Sequence, residues 1–139
     1  NVILRITEDT KIVGATAVLT RARSMRTRQG RTVAMHEKLH RTNLYRAATS
    51  FDKELHALAG SGCGTRTCCG KKIEYLEALW RYYVDLTAYD DARLDYDDYP
   101  TSFSDMLTHR IQGYRIMFEN AWGEVVKMRE AMKEACGGQ

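Results

Sequence analysis

The stretch LTHRIQGYRIMFENAWGEVVKMREAMKEA, Leu107 to Ala135, decides the fold. Leu107, Ile111, Tyr114, Phe118, Ala121, Val125, Met128, Met132 and Ala135 recur at alternating steps of four and three. An α-helix gathers such residues into one stripe. A seven-residue repeat sustained this long is the seam of a helix packed lengthwise on others. A strand cannot present that period, because its side chains change face at every residue. Ser102 with Asp105 three residues on reads as a capping box ahead of the helix. Gly137-Gly138 reads as its stop. Long helices with wide apolar faces often complete their core with a partner. Leu107, Ile111, Tyr114, Phe118, Val125 and Met128 are therefore the expected partner interface.

Working outward, Pro100 is the only proline, and it disfavours α geometry in the residue before it. A preceding helix must end by Tyr99. That helix begins near residue 72 and carries Tyr75, Leu76, Leu79, Trp80, Tyr83, Leu86 and Tyr89 as a broad apolar stripe. Before it, residues 61–71 form a loop rich in Gly and Cys. Leu44, Ala48, Phe51, Leu55 and Leu58 mark an earlier helix, with Gly60 as its stop. Ile12, Ala15, Leu19 and Ala22 extend the helical spacing upstream, behind an N-cap at Thr7–Thr10 and an arm over residues 1–7. Gly30 marks a break. The expected fold is all-α: one domain, 1–139, an elongated antiparallel helical bundle with coiled-coil packing. Its three long helices span about 8–59 (broken), 72–99 and 102–136.

Composition fits that picture and narrows the function. The chain has 139 residues, and no run approaches the length of apolar sequence that spans a bilayer. It starts at Asn1, which reads as a processed protein or a piece of a longer one. Charge is uneven. Residues 1–72 carry 14 Lys and Arg against 5 Asp and Glu, and residues 73–139 carry 7 against 13. Such halves favour internal or intersubunit pairing, or a basic face that meets an anionic membrane. Arg21, Arg23, Arg26, Arg28 and Arg31 are the candidate membrane- and anion-binding residues. Their run lacks interleaved aromatics, so nucleic acid is not an expected partner.

Cys63, Cys68, Cys69 and Cys136 are candidates for two disulfides, and Cys63-x4-Cys68-Cys69 is a poor zinc spacing. No Gly-rich phosphate loop or nucleophile–base pair appears, so no catalytic residue or cofactor is expected. Two patterns touch on metal chemistry. His36-Glu37-Lys38-Leu39-His40 is a literal match to the zincin string H-E-x-x-H, but no third-ligand motif follows it. Asp91, Asp95 and Asp98, at i, i+4 and i+7, share one helix face. The expectation is a solvated acidic face and no metal site.

The string YDDARLDYDDY, from Tyr89 to Tyr99, is similar to the tyrosine, Ala-Arg-Leu, acidic, Asp-x-Tyr string in the middle helix of arfaptin-type BAR domains. Phe118, Glu119, Glu124, Val125, Lys127 and Glu130 follow that family's third-helix pattern. Over Ile73–Ala135 the chain thus resembles the second and third helices of a BAR domain. The resemblance implies a non-enzymatic, dimeric coiled-coil scaffold that binds anionic membrane or protein partners on the cytoplasmic face of membranes. The acids near Tyr99 depart from that pattern, since a lipid-binding tip is basic. Leu44-Tyr45-Arg46 resembles the tripeptide of the LYR proteins, which serve mitochondrial complexes; the wide apolar helix faces and the uneven charge open a second reading, a structural accessory subunit of a larger assembly, mitochondrial if that resemblance holds. The cysteines open a third reading, an extracellular disulfide-stapled helical receptor or surface antigen.

Overall fold

The computed structural model describes residues 31–137. Three helices follow in order: α1, Val33–Gly60; α2, Arg66–Asp98; and α3, Ser104–Ala135. The described chain is an all-α helical bundle. The arm over 1–7, the upstream part of the first helix, and Arg21, Arg23, Arg26 and Arg28 lie outside the described residues.

Local chemistry sets each boundary. Thr32 caps α1, its Oγ1 accepting from the Met35 N–H at 3.1 Å. Thr65 caps α2 in the same way, accepting from the Cys68 N–H at 3.0 Å. The loop expected over 61–71 is therefore only Ser61–Thr65. Cys68 and Cys69 sit in the first turn of α2, because the threonine hydroxyl satisfies a free amide there and starts the helix early. Gly62 and Gly64 take φ of 67° and 68°, left-handed values that side chains resist, and so turn the chain within five residues. The Lys72 ammonium bonds Ser61 Oγ at 2.7 Å, Leu58 O at 3.3 Å and Gly62 O, neutralising the carbonyl end of α1.

At the other end, Tyr99 is extended (ψ 156°) ahead of Pro100, and α2 stops at Asp98 as expected. The capping box predicted at Ser102 does not form. Residues Thr101–Phe103 make a 3₁₀ turn whose Phe103 N–H bonds Pro100 O at 3.0 Å, and α3 starts at Ser104 without a side-chain cap. α3 ends at Ala135, capped by Cys136 and followed by Gly137 with φ 73°.

α2 packs against both other helices. One apolar cluster joins all three through Phe51 of α1, Tyr75, Leu79 and Val84 of α2, and Val125 of α3. A smaller one closes the turn through Tyr99 and Leu107. Between them run ring contacts, with Tyr82–Trp122 and Tyr89–Phe118 centroids each 4.9 Å apart. The heptad seam therefore faces α2 of its own chain. The residues expected as a partner interface are among those that line this contact within the chain. Leu107 and Val125 are fully buried, and Ile111, Tyr114, Phe118 and Met128 are half-buried. Once α2 covers the seam, those side chains have little left for a partner. The exposed large apolar groups of α3 are Met106, Ile116, Met117, Trp122 and Val126, with Ile116 opposite the seam.

Two disulfides tie the ends. Cys63 pairs with Cys69 and Cys68 with Cys136, with Cα atoms 5.2 Å and 4.7 Å apart. The first secures the α1–α2 loop, and the second staples the start of α2 to the end of α3. None of the four cysteines is free.

Candidate metal centre

The core-facing phase of α1 runs through His36, His40, Asn43, Ala47 and Phe51. That of α2 runs through Val84, Ala88, Asp91, Asp95 and Asp98. At the Phe51 end these phases are apolar. At the other end two histidines meet three aspartates, and all five are buried. Buried charges persist only when they are paired or bind a cation. Every one of the five has a close partner.

The innermost atoms form a near-equilateral triangle. Asp95 Oδ1 lies 3.0 Å from His36 Nε2 and 2.9 Å from His40 Nε2. The two Nε2 atoms are 3.0 Å apart. The other imidazole nitrogens each face a different carboxylate. His36 Nδ1 is 2.5 Å from Asp98 Oδ2, and His40 Nδ1 is 2.7 Å from Asp91 Oδ1. The latter contact lies off the hydrogen-bond axis, so Nδ1 of this buried ring is left without a hydrogen bond. An outer layer holds the outer carboxylates. Arg31 Nη1 donates to Asp98 Oδ1 at 2.5 Å, and Asn43 Nδ2 donates to Asp91 Oδ1 at 2.9 Å. Tyr99 stacks near the His36 ring, with centroids 6.2 Å apart.

Electrostatics follow from this packing. Burial by itself would lower the His40 pKa, but the Asp91 and Asp95 carboxylates beside the ring outweigh it and push it up to about 9. Burial would raise the Asp95 carboxyl. Its bonds from His36 and His40 outweigh that and hold it below the usual range. The two shifts describe one interaction from its two ends.

Three ligand atoms of three residues, His36, His40 and Asp95, are placed to hold one metal ion. An ion with bonds of about 2.0–2.1 Å to all three would sit about 1 Å off the plane of the triangle. The triangle's edges match the cis spacing of an octahedral ion, about 2.9 Å, and fall a few tenths short of the tetrahedral spacing, about 3.3 Å. Each imidazole is backed by a carboxylate on its second nitrogen, the arrangement that fixes ring tautomer and orientation at metal sites. Charge agrees as well. Three carboxylates against one guanidinium give two negative charges, the match of one divalent ion.

The sequence-predicted residues divide sharply here. The structure brings the H-E-x-x-H histidines and the Asp91–Asp98 row together, so those aspartates are not the solvated face expected of them. It does not bring Glu37, which turns away to pair with Arg41 at 2.8 Å. The zincin general base therefore has no line to the histidine pair. Of the five arginines expected to meet anions, Arg31 is the one described, and its anion is Asp98. Tyr45 of the LYR tripeptide is exposed. A signal for the cluster was present in the sequence: titratable residues in the buried phase of two neighbouring helices.

The fold and cluster define a disulfide-stapled helical bundle with a buried two-histidine, three-aspartate centre. Comparison with protein-family models, with curated proteins and with solved structures gives no match.

Proposed function

We propose that this protein is a helical bundle that holds one divalent ion of the zinc class at His36, His40 and Asp95. The observation that carries this reading is the 3 Å triangle of two Nε2 atoms and one carboxylate oxygen, with a carboxylate behind each ring. Imidazole with carboxylate suits zinc and its transition-metal neighbours; calcium and magnesium prefer all-oxygen shells. The three ligating residues are 0%, 4% and 6% exposed, so an ion held there would be shielded from bulk solvent.

The test uses the full chain with its disulfides intact. After dialysis against a chelator and then zinc, elemental analysis should find about one zinc per chain. His36→Ala/His40→Ala should lose it, and excess magnesium should not displace it. If wild type retains no zinc, the cluster is a buried ion-pair network and the reading fails.

A second reading is a scaffold that joins a partner or an anionic membrane, as the BAR resemblance implies. What favours it is the outer side of α3, where Ile116 and Met117 are 60% and 47% exposed. No described helix is long and apolar enough to cross a membrane.

A further inference from the structure

The two halves of α1 are held to α2 by different forces. From Phe51 onward the contact is apolar: Phe51, Leu55 and Leu58 join the cluster built on Tyr75 and Leu79. The Cys63–Cys69 bridge then secures the end of that half. Before Phe51, no residue of α1 belongs to either apolar cluster of the described chain. The first four turns meet α2 through His36, His40, Asn43 and the small Ala47, with Arg31 reaching Asp98 just ahead of them. Apolar burial stabilises in proportion to area, whereas buried ion pairs return little beyond their desolvation cost. A chelated ion changes that balance, because its binding free energy is folding free energy for the segments that supply its ligands. Two of the ligands come from α1 and one from α2.

We infer that ion binding at this centre is a latch. It docks the first four turns of α1, together with Arg31 ahead of them, onto the Asp91–Asp98 end of α2. The inference rests on the metal reading above. Without the ion, α1 releases from its N-terminal end up to the Phe51 cluster. The rest of α1 and the α2–α3 pair stay folded, held by apolar packing and two disulfides.

Amide hydrogen exchange read by mass spectrometry tests this on the full chain, disulfides intact until quench. Zinc-loaded protein is compared with chelator-treated protein, and bound zinc is measured in the same samples. Zinc should slow exchange across residues 33–46 by roughly tenfold or more, and across residues 51–60 by less than about twofold. In His36→Gln/His40→Gln, exchange across 33–46 should stay fast with zinc present while α2 and α3 match wild type. Stoichiometric zinc with equal slowing of both halves of α1, or with no slowing, overturns the latch but leaves the centre standing. Absence of bound zinc overturns both.

Discussion

Asp98 shows how much one residue carries. One oxygen accepts from Arg31 and the other faces His36 Nδ1, so this carboxylate couples the segment entering α1 to the ring that faces the ion. It touches the proposed ion only through His36 and is a positioning residue. Asp98→Asn keeps the shape but weakens the acceptor that fixes the ring. Partners of this kind usually account for 10–100-fold in metal affinity. Zinc competition against a chromophoric chelator should therefore show an affinity loss of roughly 10–100-fold, and circular dichroism should show an unchanged helix content. A variant with wild-type affinity would remove Asp98 from the centre. At this scale the sequence was only half legible. The i, i+4 histidines and the i, i+4, i+7 aspartates each show as same-face sets, but spacing within one helix says nothing of which helix faces it. The informative clue was phase. Val84 and Ala88 lead straight into Asp91 and Asp95, and His40 leads through Ala47 into Phe51, so charge occupies positions that burial demands.

Among the elements, α2 is the keystone, since both other helices pack on it. Its start is set by the Thr65 hydroxyl, which places Cys68 at the buried side of the first turn, where Cys136 can reach it. The bridge closes a loop with a sequence separation of 68, which chain-entropy arguments value at about 4 kcal/mol. Cys68→Ser/Cys136→Ser should lower unfolding free energy by roughly 2–5 kcal/mol, read as an earlier urea midpoint at a similar slope. A loss of unfolding free energy under about 0.5 kcal/mol would mean that the hairpin is held by packing alone. The helices themselves were legible, because the heptad seam and the stop at Pro100 are local signals. The early start of α2 was not, since a threonine before Arg-Thr-Cys-Cys looks no different from a loop residue until its hydroxyl is seen capping. Nor could the period of the seam say which surface it meets: the same 4-3 spacing serves a neighbour in the chain or a second molecule.

At the scale of the whole molecule, the uneven charge is partly spent inside. Arg31 and the α1 histidines meet the acidic end of α2 across the bundle. Among the charged and polar groups exposed along α3 stand Ile116, Met117 and Val126. If the scaffold reading holds, sedimentation velocity should show concentration-dependent self-association that Ile116→Glu/Met117→Glu abolishes. Anionic vesicles should co-sediment with the chain in low salt and release it in high salt. A monomer at all concentrations that ignores vesicles would end that reading and leave the metal centre unaffected.

The disulfide pattern has a mechanical consequence. Cys63 joins Cys69, one peptide bond leads to Cys68, and Cys68 joins Cys136. A covalent shortcut therefore runs from the end of α1 to the end of α3. Tension applied across the described chain travels along α1, through the two bridges, and out at Cys136. Residues 70–135 lie off this covalent path, so once α1 has let go of them they carry no load however far the ends are pulled. Only residues 31–63 can pay out, to about 110 Å at full extension. The first contact in line to resist the pull is the cluster of two histidines and three aspartates.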